Sequence, residues 1–311
     1  MTAPISRLVS LGTVVIDVVM NIAHLPERGS DVIADGAWLE PGGAVNVMVA
    51  ARRQGLRTAC AGTTGTGPFG DLARAALERE GIDLLHRPVL GIDTGFDVAM
   101  VDAEGERTFV TAVGAEGQLT VEGLDRVELA PTDALYISGY SLLHPMNRTA
   151  ILDRLPRLAA ETTVIFDPGP LGHEIPAGDL DVIFARADWW SCNDREAALS
   201  TGLAGPADAA SALVARLTRG TVLIRLGADG CIVVGARSAP RFFAGYPVEA
   251  IDTNGAGDVH VGAFIAGLAA GLGPARSAER SNAAAAIAVT RAGPSAAPAS
   301  SEVDEFLRGQ A

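Results

Sequence analysis

The stretch Ile251-Asp252-Thr253-Asn254-Gly255-Ala256-Gly257-Asp258 is the densest chemical signal in this 311-residue chain. Three small residues, Gly255, Ala256 and Gly257, open an apolar helical run that continues to Ala270. Small side chains at a helix entrance let backbone N–H groups converge on one point. The partial positive charge of the helix end adds to them, so an anion site is expected. Asp258 then falls in the first turn. A carboxylate beside an anion hole could take the proton from a hydroxyl as that hydroxyl attacks a phosphoryl group, while the amides stabilise charge on the transferred oxygens. An Asp-capped helix after a glycine loop has the same spacing and no chemistry, and spacing alone leaves both readings open.

A second glycine-rich stretch competes with the first. Gly65-Thr66-Gly67-Pro68-Phe69-Gly70 fits GxGxxG after a strand and before a helix, with Asp83 near the distance of a ribose-binding acid, which would make an NAD-dependent oxidoreductase. That fingerprint normally follows the first strand of its unit and the acid closes the next strand, whereas Gly81-Ile82-Asp83 reads as a loop. Pro68 also removes an amide that a pyrophosphate would need. The histidines His24, His86, His144, His173 and His260 lack metal-ligand spacing, and His24 and His144 are candidates for a pocket wall only.

These residues need a scaffold that gathers them. Apolar, β-branched runs of strand length recur at Arg7–Leu11, Arg57–Gly62, Ala134–Ser138, Thr163–Phe166, Trp189–Ser191 and Thr221–Leu226. Helical patterns lie between them at Ala44–Gln54, Asp71–Glu80, Asn147–Ala160, Asp194–Thr201, Pro206–Thr218, Ala256–Ala270 and Ser277–Thr290. Strand alternating with helix predicts βαβ units and a mostly parallel sheet covered on both faces. Asp31–Leu39 and Gly95–Ala112 break the rhythm as half-exposed strands without a crossover helix, the second a hairpin about Asp102–Gly105, and together they predict a small separate sheet over a site. Trp38 lies in that sheet, where it could cover a ligand or pack against its neighbours. Adjacent Trp189 and Trp190 in a strand must face opposite sides, so at least one is core.

Composition removes whole classes. All 24 basic residues are Arg, which excludes a P-loop lysine, a protein-kinase strand lysine and Schiff-base chemistry. A net charge of −13 argues against nucleic acid or anionic membrane as partner. Cys60, Cys192 and Cys231 are an odd number with no CxxC spacing, and they read as buried thiols of a cytoplasmic protein. The longest run free of Asp, Glu and Arg, Val259–Ala275, falls short of the roughly 20 residues of a membrane span, and no targeting segment is visible.

Asp252-Thr253-Asn254-Gly255-Ala256-Gly257-Asp258 resembles the C-terminal signature of the ribokinase-like (PfkB) family of sugar and nucleoside kinases. Gly42-Gly43-Ala44-Val45-Asn46, followed by an Ala-rich helix ending Gln54-Gly55, is similar to that family's N-terminal signature. Further matches run in order along the chain: Gly12 to Asp17, Glu104-Gly105-Glu106-Arg107-Thr108, Gly114-Ala115-Glu116, Asp167-Pro168, Asn193-Asp194-Arg195-Glu196 and Ala288-Val289-Thr290-Arg291-Ala292-Gly293. The resemblance covers nearly the whole chain. It implies a ribokinase-like α/β fold: a three-layer αβα sandwich over one domain, 1–311, with a small β-sheet lid from about 13–40 and 95–113.

The resemblance further implies ATP with Mg²⁺ as phosphoryl donor and a sugar as acceptor, with a nucleoside as the alternative. Asp258 would be the base, Gly255, Ala256 and Gly257 the anion hole, and Asp17, Gly43 and Asn46 would hold the acceptor hydroxyls. Asn193 and Glu196 match an Asn-x-x-Glu motif tied to Mg²⁺ and phosphate; taken alone, Glu196 would stabilise a helical turn. Arg225, Gly227 and Gly230 match the loop flanking ATP, and Asn282 a polar position near adenine. Arg225 replaces the usual Thr and could grip phosphate with two prongs or form a structural ion pair. Asp252, Asn254, Ala288, Arg291 and Gly293 match positions around a monovalent cation, K⁺ in many relatives, although Pro294 and Ala297 depart from the pattern. His260 takes a place often held by Phe and is expected to pack under the loop, while Gly67 stands where an acid is usual. Relatives often pair through their lids, so a homodimer is an expectation. A catalytically idle sensor of sugar or nucleotide is the reading from another class, and the intact Asp258 argues against it.

Overall fold

A computed structural model describes residues 4–293 and 296–310, so Pro294 lies outside the described residues. Thirteen strands appear in chain order: β1 (Arg7–Ser10), β2 (Val14–Asn21), β3 (Gly36–Gly43), β4 (Arg57–Cys60), β5 (Asp83–Leu84), β6 (Phe96–Val101), β7 (Arg107–Ala112), β8 (Asp133–Ser138), β9 (Thr163–Asp167), β10 (Trp189–Asn193), β11 (Thr221–Arg225), β12 (Gly230–Gly235) and β13 (Arg241–Ala244). The helices are α1 (Val45–Arg53), α2 (Pro68–Arg79), α3 (Val121–Asp125), α4 (Gly139–Leu143), α5 (Pro145–Arg154), α6 (Ala177–Arg186), α7 (Asp194–Thr201), α8 (Pro206–Arg216), α9 (Ala256–Ala269), α10 (Gly273–Val289) and α11 (Ser300–Gly309). Among the described residues no helix is long and apolar enough to cross a membrane.

A nine-stranded sheet runs in the order β13-β12-β11-β10-β9-β8-β1-β4-β5, parallel except for the last hairpin, β12 and β13. Its strands are apolar on both faces because helices cover both. Alternation sorts them: Val9, Leu135, Ile137, Val164, Phe166 and Trp190 join one core layer, and Leu8, Ala134, Tyr136 and Ile165 the other. Trp190 stacks on Phe184 at 4.4 Å while Trp189 meets Phe264 on the opposite face.

Helix α9 is apolar all round because it lies between α1 and α10. Its Gly262 rests on the backbone of α1, where a Cβ would strike the Val47 carbonyl. That close crossing brings Asn46 of α1 beside Asp258 of α9.

The second sheet has four strands in the order β3-β2-β6-β7. Residues directly opposite share a face, so the register Glu40–Asp17–Asp97–Thr111 forms one row and Trp38–Val19–Ala99–Phe109 the next on the same side. The other side leaves Leu39 and Val110 half or more exposed. The Glu116 carboxylate accepts the N–H groups of Gly95 at 2.6 Å and Gly114 at 2.8 Å, fastening both stems of the β6–β7 hairpin.

Several expected boundaries shift. Asp31–Leu39 becomes strand only from Gly36, and Val14–Asn21, which lacks alternating polarity, supplies the central strand β2. The expected helix Asn147–Ala160 breaks into α5 and a single 3₁₀ turn at Leu155–Arg157, since Pro156 has no N–H to continue it. Asp83, expected in a loop, starts β5 and pairs with β4.

Candidate active site

Ser138, Asp167, Asn193 and Arg225 each end one of four successive parallel strands, and all four line a cleft of about 920 Å³. Ligands bind at such carboxyl edges because the strand ends release short loops and helix N-termini there. Thr253–Asp258, Gly43 and Ala44 line the same cleft.

Gly255 has φ +70°, a left-handed turn that sends the chain straight into α9. The first N–H groups of a helix have no carbonyl a turn back. That of Ala256 reaches the Thr253 carbonyl at 3.3 Å, and Gly257 and Asp258 follow along the cleft wall. Asp258 Oδ2 accepts the Asn46 amide at 3.3 Å. Burial and the nearby Asp167 push its carboxyl up to about 7, with Asn46 and Arg225 pulling the other way. A carboxylate with that affinity can accept a proton near neutral pH.

Asp17, 8% exposed, is not among the residues lining the cleft; its carboxylate lies over Gly42, next to the cleft-lining Gly43, where a Cβ would overlap it. Burial, then Asp97, Glu40 and Asp258, raise its carboxyl to about 7. Asp97 was not foreseen as a site residue. It sits opposite Asp17 in the lid row, its Oδ1 buried without a hydrogen-bond partner. Only strand register reveals that neighbour. Trp38 shares this side of the lid and donates its indole N–H to Glu40 at 3.2 Å.

At the end of β10, Asn193 and Glu196 cap α7 reciprocally: Asn193 Oδ1 accepts the Glu196 N–H and Glu196 Oε2 accepts the Asn193 N–H, both at 2.8 Å. Both also line the cleft. Arg225 forms the ion pair rather than a free fork. Its Nη1 donates to Asp167 at 2.8 Å and Ser191 at 2.6 Å, and Nη2 lies 3.5 Å from Glu196. Burial opposes the guanidinium charge, and Asp167 and Glu196 more than restore it. Burial and Asp167 raise Glu196, while Arg225 restrains it. The guanidinium packs under Gly257, so a fixed positive charge lies behind the helix entrance.

Gly227 and Gly230 turn the loop after β11 and line the cleft. Asn282 also lines it, but its amide N–H groups are spent on the Phe243 and Ala244 carbonyls, both at 3.0 Å, and its oxygen meets His260 at 2.9 Å. His260 is buried, and burial and Arg225 push its imidazole down to about 3, so it stays neutral packing. His24 is exposed, and His144 stands at the start of α5; neither is among the residues lining the cleft.

The cation group gathers with inverted polarity. Asn254 and Gly293 turn N–H groups to Asp252, and Arg107 of β7 donates to the same carboxylate at 2.6 Å. Ala288 spends its carbonyl on the Arg291 N–H at 3.0 Å, and the Arg291 side chain pairs with Glu302. Among the described residues no cluster of three or more His, Cys, Asp or Glu could hold a metal ion.

The dinucleotide reading fails at α2. Although Asp83 does begin a strand, Asp93 already occupies the helix entrance, accepting the N–H groups of Phe69 at 3.2 Å and Gly70 at 2.8 Å. Its carboxylate lies against Gly67, supplying from elsewhere in the chain the acid missing at that position.

Asp258, at the entrance of α9, is close enough to Asp17 to raise its carboxyl, and the family match makes this chain a phosphotransferase with an alcohol group as acceptor. The model for the pfkB family carbohydrate kinase matches residues 6–301. The chain belongs to the pfkB family of carbohydrate kinases. It is 32% identical over 301 residues to an uncharacterized sugar kinase, YegV, of Escherichia coli K12, covering 94% of this chain and 91% of that one. The ribokinase crystal structure from Thermotoga maritima superposes with TM-score 0.81 at 28% identity, covering 98% and 99% of the two chains. An Arabidopsis thaliana ribokinase complexed with ribose and ATP shares the fold, with TM-score 0.80 at 22% identity over 99% of each chain.

Proposed function

We propose that the whole chain acts as one kinase domain that transfers the γ-phosphoryl group of ATP to a hydroxymethyl group of an uncharged sugar. One observation carries the reading: Asp258, a half-buried carboxyl pushed up to about 7, stands at the head of α9 beside the acceptor-side Asn46. Asp258 takes the hydroxyl proton, and the amides of Gly255 and Gly257, with Arg225 behind them, bear charge on the transferred oxygens, the Ala256 N–H being engaged by the Thr253 carbonyl. Asp17, Gly43 and Asn46 orient the acceptor. The row Glu40–Asp17–Asp97 suits hydroxyl donors and repels phosphate or carboxylate groups, which favours an uncharged sugar. Asn193 and Glu196 present hard oxygens of the kind Mg²⁺ takes, and they would hold the ion that accompanies ATP and shields its phosphates. Buried free Cys60, Cys192 and Cys231 support a reducing, cytosolic setting. Exposed Leu39 and Val110 on the outer lid face support pairing of two copies there.

The test is ADP release from Mg·ATP across pentoses, hexoses, keto-sugars and nucleosides. Acceptor-dependent ADP with a sugar is the expected result. Turnover of nucleosides alone would shift the acceptor class, and silence with ATP still bound would favour a sensor.

Because Asp258 must be deprotonated to act, kcat/KM for the acceptor should fall as pH drops through about 7. Asp17 titrates in the same range, so the acid limb should be steeper than one proton. A flat profile between pH 5.5 and 8 would remove the base assignment. Replacing Asp17 by Ala should raise the acceptor KM by about 10- to 100-fold, the weight of one charged hydrogen bond, and leave the ATP KM unchanged.

A further inference from the structure

One side chain of the lid reaches the 251–258 loop. Arg107 opens β7 on the same side of the lid as Phe109 and Thr111, and its Nη2 donates to Asp252 Oδ1 at 2.6 Å. Asp252 also accepts the Asn254 N–H at 2.9 Å and the Gly293 N–H at 3.1 Å. Burial works against the charge on Asp252, yet these three donors hold its carboxyl below the usual range. Glu40 lies in the same field: burial raises its carboxyl and Asp252 adds to the rise, while the Trp38 indole and Arg107 oppose it.

A monovalent cation at this loop needs oxygen lone pairs turned toward it. Here the oxygens of Asp252, Ala288 and the neighbouring Val289 face nitrogen. Asp252 meets three N–H donors, the Ala288 carbonyl takes the Arg291 N–H, and the Val289 carbonyl takes the N–H groups of Ile251 at 2.7 Å and Asp252 at 3.1 Å. Among the described residues this donor set does not fit K⁺, and a second cation at Asp252 would meet the charge of the Arg107 guanidinium.

We infer that Arg107 is a tethered replacement for the monovalent cation: the lid itself supplies the positive charge that orders the 251–258 loop, and the enzyme works without potassium. This rests on the kinase reading of the cleft. Its corollary is that the loop carrying the anion site is ordered fully only while the β6–β7 hairpin lies over it, so lid and anion site act together. Arg107 is therefore a positioning residue, acting on phosphate through Asp252.

The first test needs neither nucleotide nor acceptor. At equal ionic strength the full chain should melt within about 1 °C in potassium chloride and choline chloride, because an ion that does not bind cannot stabilise. The Arg107→Ala variant should melt lower in choline and regain part of the loss in potassium. Calorimetric titration with Mg·ATP should give one affinity in both salts for the native chain. For Arg107→Ala it should be about tenfold weaker in choline and partly restored by potassium, a coupling of ordinary size. If the alanine variant does not fold, Arg107→Gln, which keeps a hydrogen bond without the charge, replaces it. Stabilisation of the native chain by potassium, or Mg·ATP binding that potassium strengthens more than about threefold, overturns the tether. So does a folded Arg107 variant with unchanged Mg·ATP affinity in choline. Absence of Mg·ATP binding in either salt counts instead against the kinase reading, while the melting comparison still decides whether potassium binds.

Discussion

Asp258→Asn should lower acceptor-dependent turnover by about a thousandfold or more while Mg·ATP affinity stays within about twofold. In the proposed mechanism the Asp258 carboxylate takes the hydroxyl proton, and His260, two residues on, does not compete with it because it is held neutral by burial and tied to Asn282. Asparagine fills the same space and can still meet Asn46, so the anion site keeps its shape. The variant should also melt no lower than the native chain. Burial and Asp167 disfavour the charge on Asp258, and amide replaces that charge with a neutral group. Activity above a few per cent of native would remove Asp258 from the role of base. Loss of activity together with loss of Mg·ATP binding would instead indicate a collapsed loop.

Arg225→Met should destabilise the fold by about 3–5 kcal/mol, the usual consequence of stripping one partner from a buried ion pair. Asp167 and Glu196 would then face each other across a dry space with no counter-charge. The sign with pH follows from Glu196, whose carboxyl burial and Asp167 already raise and Arg225 alone among the cations named restrains. A raised carboxyl makes its contribution below the unfolded value, near 4.5, and loses it as pH climbs through the folded value. The deficit of the variant should therefore be larger at pH 8 than at pH 5.5 in urea denaturation. A loss under about 1 kcal/mol, or one independent of pH, would show that the triad is held by packing rather than charge.

Local sequence made the parallel sheet legible because each strand carries its own apolar run: Thr221–Leu226 is β11 to within a residue, and Asp194–Thr201 is α7. The pairings were not local. Nothing in Val14–Asn21 says that Asp17 stands between Glu40 and Asp97, since that row exists only after three distant segments find one register. The same distance hid the Arg107–Asp252 pair, 145 residues apart. Arg225 illustrates a different gap: its residue type announces two-pronged recognition but not of whom, and Asp167 and Ser191 share one prong while Glu196 faces the other. Short β5 escaped because two residues carry no period, and β12 and β13 because the chain turns back on itself at Gly230 without a helix between.

The crossing of α1 and α9 at Gly262 packs helix backbone on helix backbone, with Ala50 beside it, and fixes Asn46 next to Asp258. The lid enters from separate segments, 14–21, 36–43 and 96–112, and its stems are pinned at Glu116. Substitutions can therefore accumulate across the lid face, trading Trp38, Asp97 or Phe109 for other side chains, without disturbing the rigid frame. Such a division lets descendants of one ancestral gene acquire new diets while inheriting their chemistry intact. It also names where to direct mutagenesis for an altered acceptor: the cleft side of the lid, and not the Gly255–Asp258 loop.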